Sequence, residues 1–420
     1  MDTASSSGKL SASRKSRLVI AITFAALGFA LLAPTRLDIA IILKEVMSGI
    51  GVTSLAAAGF ISTATLLGDG LFEMIFGHLS DRWSRTGVLV LGITVFSSFS
   101  ILTAVSKDLT TLYTMRILLG VGQAMFIPSY FAFIGGIYGK RRGLLLGALV
   151  GMFTVGTAVN PLLTEGMYRA TNEWQTPFIG FGVFGLVLAV CIFLIGRGKP
   201  PIYETRLQEQ AAPVVGHAES RFAWLANRNM LSLLVVMMLW GVTQYGFLGI
   251  FVTYLRTAQH FSLAEAAGVA SIAGWSAFAF SFIAGYMSDH IGRRRTLLLM
   301  GIIALVLAGP LFMFQQTFWS AAILAAIFQA ANGCFYPLGV AYAQDFARTE
   351  HLGAHSGAVS GVGHLVAGVS GFIVGSLAQN FGYAALGWFF IAMSAIIVVA
   401  ILLTRDPARV AEPQLAPQMP

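Results

Sequence analysis

Arg36, Asp38, Asp69, Glu73, Arg116 and His364 interrupt runs made otherwise of Leu, Ile, Val, Phe, Ala and Gly. An ionisable group in hydrocarbon costs roughly 2.5 kcal/mol or more on insertion scales, so it faces a cavity or a partner and is a functional candidate by default. Arg36 is permanently charged and offers a planar fork of donors suited to a carboxylate, which makes it the first candidate anchor for an anionic solute. The alternative for Arg36 is snorkelling to an interface. Asp69, Glu73, Asp38 and His364 are the groups able to carry a proton. A carboxylate beside His364 would raise the proton affinity of the imidazole while an apolar setting would lower it. A buried His that simply bonds neighbouring backbone is the competing reading.

These residues need elements that hold them at a common depth. At 1.5 Å per residue Asp69 lies about 18 Å, and Glu73 about 12 Å, along a helix from Asp81. Positions 69, 73, 77 and 81 share one helix face at a four-residue spacing. His364 lies about 16 Å from Gly353 by the same rise, a depth similar to that of Asp69. Gln123, Tyr245, Asn332, Trp275 and Tyr336 are the further polar and aromatic candidates for a midplane site.

The chain of 420 residues is 56% hydrophobic and 10% charged, with a mean hydropathy of +0.77, far from the quarter of charged residues usual in soluble domains. Apolar runs long enough to span a bilayer recur throughout, about twelve by the twenty-residue criterion. The expected helices cover 18–45, 53–79, 87–105, 110–137, 143–165, 175–196, 230–256, 262–287, 296–314, 318–344, 353–379 and 383–403. Residues 197–229 form a polar linker containing Lys199-Pro200-Pro201 and Gln208-Glu209-Gln210, which separates bundles at 18–196 and 230–403. Residues 1–17 and 404–420 are short tails. Twenty of the 26 Lys and Arg fall on the side that holds both tails, and only Arg36, Lys44, Lys107, Arg116, Arg169 and Arg256 remain for helices and opposite turns. By the positive-inside bias both termini are cytoplasmic, in a multi-pass protein of the plasma (inner) membrane. The net charge of +8 then needs no nucleic-acid partner. Leu18 to Leu43 is too long for a signal-peptide apolar region and reads as the first helix. Cys191 and Cys334 sit in apolar helices and support neither a disulfide framework nor a metal site.

The chain is internally duplicated. Gly77-His78-Leu79-Ser80-Asp81-Arg82-Trp83-Ser84-Arg85 returns as Gly285-Tyr286-Met287-Ser288-Asp289-His290-Ile291-Gly292-Arg293-Arg294-Arg295, with Asp81 and Asp289 208 residues apart. Gln123 precedes Pro128 as Asn332 precedes Pro337, at an offset of 209, and Tyr245 stands opposite Arg36 at the same offset. The ladder Gly143, Gly147, Gly151 repeats as Gly353, Gly357, Gly361 at an offset of 210. Small residues every four positions let helix backbones approach in lipid, so these ladders read as packing. In the loops, Asp81 and Asp289 can accept bonds from Arg82, Arg85, Arg293 and Arg294 and from a neighbouring helix N-terminus. Both loops, with Gly77 and Gly285, are therefore expected to act as gating latches.

These loops resemble the cytoplasmic loops of the major facilitator superfamily, between its helices 2 and 3 and helices 8 and 9. Arg116-Ile117-Leu118-Leu119-Gly120-Val121-Gly122-Gln123-Ala124 is similar to the superfamily's Arg-x-x-x-Gly-x-Gly-x-Ala segment in helix 4. Gln244-Tyr245-Gly246-Phe247 and the run Phe261 to Gly268 look like its organic-anion and sugar-acid symporters. The resemblance implies an all-α membrane protein of twelve transmembrane helices in two pseudo-symmetric six-helix bundles, rocking about a central site. It also implies that Arg116 takes part in proton coupling or substrate binding, and that helix 11 crosses the helix-2 face of Asp69, so that Asp69 and His364, at similar depth, form a pair between the halves. Departures are specific: Thr35 and Gln123 stand where the symporter branch carries acids, and helix 5 lacks the Gly-Pro pair of proton-driven antiporters. The expected function is proton-coupled movement of a small organic anion by a monomeric carrier in a lipid bilayer, with no cofactor beyond the proton gradient. Export or uncoupled exchange of a metabolite or drug is the alternative. A membrane sensor would call for a larger cytoplasmic extension. No phosphate loop, zinc-protease or nucleophile-elbow motif suggests an enzyme.

Overall fold

The computed structural model describes residues 12–82, 85–137, 142–196, 228–345 and 352–404. The side chains of 12–18, 74, 77–82, 85, 131–137, 142–150, 196, 344 and 352–358 lie outside that description. Among the described residues all regular structure is helical: α1 (Ala12–Ile41), α2 (Leu43–Ile50), α3 (Leu55–Arg82), α4 (Arg85–Ala104), α5 (Leu109–Ile137), α6 (Arg142–Thr171), α7 (Thr176–Gly196), α8 (Arg228–Thr257), α9 (Leu263–Ile291), α10 (Arg293–Met313), α11 (Phe318–Gly333), α12 (Phe335–Asp345), α13 (Leu352–Ala367), α14 (Ser370–Phe381) and α15 (Ala384–Leu403). Ten apolar stretches within them are long enough to cross a membrane. Leu71, Ile75, Phe282, Trp319 and Trp388 are among the large apolar side chains left exposed on the perimeter, where lipid tails replace a protein partner.

Three expected single helices are interrupted, each for a local reason. The first breaks at Ile42, just beyond the point where the Asp38 carboxylate takes the Ile39 amide. The run 318–344 breaks at Cys334. Pro337 has no N–H for the carbonyl four residues earlier, at Gly333, so the ladder opens there. The run 353–379 breaks at Gly368 and Val369 because Thr63 of α3 inserts its hydroxyl, donating to the Gly368 carbonyl at 2.8 Å and accepting the Gly371 amide at 3.2 Å. Inserted side chains are a known cause of helix breaks. Conversely, α6 runs six residues past the expected end at 165. Asn172 adopts φ 57° and closes it by donating to the Tyr168 carbonyl.

The C-terminus of α3, the N-terminus of α4 and the turn Ile291–Arg293 lie at one end of the bundle, here the signature end, and α2 with the N-termini of α3 and α9 at the far end. The halves before 197 and after 227 meet along α3 with α13 and α14, and along α6 with α9. At the far end α3 and α14 approach backbone to backbone, so a Cβ on Gly59 would strike the Gly371 carbonyl, and one on Gly371 the Gly59 carbonyl. Small residues permit such approach where no hydrophobic drive acts between helices. Of the expected glycine ladders, Gly151 faces Phe278, and a Cβ on Gly361 would lie 3.9 Å from the Gly70 carbonyl oxygen. The surroundings of Gly143, Gly147, Gly353 and Gly357 lie outside the described residues.

Candidate translocation site

The middle of the molecule is built around a helix that cannot remain regular. Pro34 in α1 removes one backbone donor, and two turns later the helix ends. Between these points Arg36 and Asp38 leave α1 in different directions. Arg36, 1% exposed, and Asp69, 0% exposed, are shielded from water, so each must find its partner within protein.

Arg36 uses its fork on three partners. Nε donates to Gln123 Oε1 at 2.8 Å, Nη1 to the Tyr245 hydroxyl at 3.1 Å and Nη2 to Asp69 Oδ2 at 2.7 Å. Gln123 is itself oriented, because its amide donates to Thr35 Oγ1 at 3.1 Å and to the Leu32 carbonyl. Phe153 and Tyr245 each hold a ring 5.8 Å from the guanidinium carbon, a cation–π arrangement. A guanidinium has five N–H donors, so one on each Nη is left beyond these three bonds.

Asp69 and His364, expected as a pair from their similar depth and the resemblance, lie together, with Asp69 Oδ2 3.4 Å from His364 Nδ1. The same nitrogen lies 3.5 Å from Glu73 Oε2, and His364 Nε2 lies 3.3 Å from the Tyr245 hydroxyl. Arg36, Asp69, His364 and Tyr245 therefore form a closed ring of polar contacts, two members from each half of the chain. Asp69 Oδ1 makes no hydrogen bond and is buried. Glu73 Oε1 accepts from Ser360 at 3.3 Å, and Ser360 contacts the Tyr336 hydroxyl at 3.1 Å. Tyr336 stacks on His364 and lies against Trp240, whose Nε1 donates to the Asn332 carbonyl at 2.8 Å.

Arg116 and Asp38 occupy a separate place. Arg116 donates to the carbonyls of Thr35 and Arg36, at 3.0 and 2.6 Å, and to Asp38 Oδ1 at 3.1 Å. Both side chains are fully buried. This pair grips the backbone of α1 behind Arg36 and touches none of the ring's side chains. Asn332 reaches the cluster only through its backbone. Trp275, placed by the sequence among the site residues, is 44% exposed and packs on Phe278: the helical register of α9 turns it to the perimeter.

The second of the expected gating loops makes contacts of a different kind. Asp289 is 70% exposed on its side chain and stands 3.8 Å from Arg293. Arg293 instead bonds Asp345 of α12 at 2.6 Å, and Arg294 donates to the Ile401 and Leu402 carbonyls of α15. These described contacts of the second loop all stay within the second half, and Gly285 meets open space. An exposed carboxylate has water as a partner and gains little from a long ion pair. The surroundings of Gly77 and the side chains of Asp81, Arg82 and Arg85 lie outside the described residues.

Asp69, Glu73 and His364 bring three ligand-type atoms within 4.8 Å of one another. The guanidinium of Arg36 already holds the Asp69 oxygen nearest His364, so a fixed cation occupies that side. Toward the far end, a cavity of about 30 Å³ is lined by Leu37, Ile41, Asn160, Phe247, Phe251 and Gln329 among others. Sequence reasoning passed over Trp240, Ser360 and Phe153, whose types carry no signal in an apolar helix. It also passed over Glu45 and Arg256, although Arg256 was one of six cations left away from the basic side.

A family model described as the Major Facilitator Superfamily matches residues 18–278 and 233–418. The chain belongs to that superfamily, and so to a family of multi-pass membrane transporters rather than enzymes. A probable L-galactonate transporter of Escherichia coli K12 is 27% identical over 244 residues, which span 56% of this chain and 53% of that protein. A cis,cis-muconate transport protein of Acinetobacter baylyi is 24% identical over 353 residues, 81% of this chain and 83% of its own. The resemblance to the organic-anion and sugar-acid branch agrees with both. Among solved structures, a bacterial homolog to the human lysosomal transporter Spinster, in an inward-facing and occupied conformation, superposes with a TM-score of 0.73 at 16% identity over 97% of this chain and 99% of that one. That likeness establishes the major facilitator fold.

Proposed function

We propose that the protein is a proton-coupled importer of a small organic anion, a carboxylate or sugar acid, working by alternating access. In this reading the ten apolar spans are joined by α5 and α6, of 29 and 30 residues, to give twelve crossings. Bundles 18–196 and 230–403 rock about the central ring, with 197–229 as the linker and both termini in the cytoplasm of a cell with an inner membrane. The carrier is a monomer in its bilayer and uses no cofactor.

The observation that carries the reading is the charge of the ring taken together with Glu73 beside it. Arg36 contributes one positive charge, Asp69 and Glu73 two negative charges, and neutral His364 none, so the cluster without an added proton has a net charge of −1. A buried net charge is costly. One proton on the Asp69, Glu73 and His364 group neutralises it, and a bound monocarboxylate on the remaining Arg36 donors restores −1 unless a second proton follows. Solute and proton therefore favour each other's binding at one site, which is the thermodynamic requirement for symport. The relatives that are named for galactonate and muconate transport support an anionic substrate.

Uptake into proteoliposomes should be measured for a panel of carboxylates with and without an inward proton gradient. Accumulation above the external concentration only with the gradient is expected. Equal uptake under both conditions would favour the second reading, uncoupled exchange or export, to which Thr35 and Gln123 lend weight because they replace the acids of the symporter branch.

A further inference from the structure

We infer that Glu45 and Arg256 form the charged latch that holds the two halves together at the far end, opposite the signature loops. Arg256, in the last turn of α8, donates through Nη1 to Glu45 Oε2 at 2.9 Å and through Nη2 to Glu45 Oε1. This is a two-pronged bond with α2 of the other half. Among the described residues it is the one ion pair that joins an arginine of one half to a carboxylate of the other; the remaining arginine pairs are internal to a half. The side chains are 17% and 13% exposed, so water screens them far less than an open surface pair. Fork-to-carboxylate geometry adds direction to charge.

The setting of the pair gives it a mechanical role. The short helix α2 is set off from α1 by the break at Ile42 and closed by Gly51 in the left-handed region, φ 70°. It thus presents Glu45 from a separate segment. Beside it the same end is sealed by neutral contacts: Gln379 of α14 accepts from Ser54 Oγ at 3.1 Å and from the Ala56 amide at 3.2 Å. Ser271 of α9 donates to the Ala158 carbonyl of α6 at 2.7 Å. These neutral bonds and the α3–α14 backbone approach supply fit, whereas the ion pair must be broken and both its charges rehydrated before this end can open. The latch therefore weights the equilibrium toward the state closed here. The inference rests on the rocking-bundle reading and, under the proposed orientation, makes Glu45–Arg256 the external gate.

The test needs neither solute nor proton gradient, so its result is separate from that of the symport experiment. Spin labels at Lys107→Cys and Asn380→Cys, exposed far-end positions of the two halves, are introduced with Cys191→Ser and Cys334→Ala and their separation is measured by pulsed electron resonance in liposomes. Glu45→Arg or Arg256→Glu is expected to populate a longer separation, raising the open-to-closed ratio about tenfold, equivalent to about 1.4 kcal/mol. The double exchange Glu45→Arg with Arg256→Glu should return the distribution of the parent. Should a charge reversal prevent folding, Glu45→Gln is measured in its place with the same expected direction. A monodisperse Glu45→Arg or Glu45→Gln protein with the parental distribution overturns the inference, as does a double exchange that remains open.

Discussion

Three carboxylates and two arginines lie in the apolar interior at the centre of this protein, yet their work is divided. Arg36 points three different donors at Gln123, Tyr245 and Asp69, so its geometry as well as its charge is in use. A lysine offers a point charge on a flexible stem and cannot reproduce that fork. Arg36→Lys is therefore expected to lose at least about tenfold in kcat/KM, with Arg36→Ala inactive; a lysine variant at parental rate would show that charge suffices. Asp69→Asn removes the carboxylate that joins Arg36 to His364. It should abolish gradient-driven accumulation while leaving exchange of labelled for unlabelled solute, and preserved accumulation in reconstituted vesicles would count against Asp69 as the proton carrier. Spacing put Asp69, Glu73 and His364 at comparable depths, because depth along a helix follows from residue number; the resemblance put their helices side by side. It could not tell that Arg116 and Asp38 face away from them, since that depends on how α1 and α5 are rotated against each other.

At the scale of the elements, breaks in helices do as much as the helices. The Arg116–Asp38 pair sits on the carbonyls of Thr35 and Arg36, so it positions the turn that presents Arg36. Removing one member of a buried pair costs about 3–5 kcal/mol because the other is left charged and alone. Arg116→Leu should accordingly lower the thermal unfolding midpoint in detergent, and Asp38→Asn in the same chain should recover part of that loss. Thr63 acts similarly on the other side of the interface, holding the interruption between α13 and α14 through two bonds. Thr63→Val leaves the Gly368 carbonyl and Gly371 amide without that hydroxyl, at a cost of about 1–3 kcal/mol, readable in the same melting experiment. Pro337 lies in the helix that it interrupts, although 318–344 reads as one helix by its apolar length; Thr63 lies some 300 positions from the break that it holds open, so no pattern within that helix points to it.

At the scale of the whole molecule, the halves are joined by unlike contacts at different levels. The centre is a polar ring, and the far end combines an ion pair with glycine-mediated backbone approach. Gly371→Val places a branched side chain on the Gly59 carbonyl, and since neither backbone can yield cheaply, the far end should be pried apart. Labels at Lys107 and Asn380 should then report the same longer separation expected for Glu45→Arg, and an unchanged separation would locate the hinge elsewhere.

The sequence by itself determined the membrane setting, the duplication, the superfamily and the depth of the ionisable groups. These follow from composition and from regular helical rise, both local properties of the chain. Only the tertiary structure decided which candidates meet. The repeat placed Tyr245 opposite Arg36, but the bond between them, the exclusion of Trp275 and the pairing of Glu45 with Arg256 depend on how each helix is rotated and where it breaks. Those variables are fixed by packing against distant helices, and no spacing within one helix encodes them. For the same reason the loop around Asp289, a latch by its motif, makes its described contacts within its own half, while the described arginine–carboxylate bond between the halves lies at the opposite end.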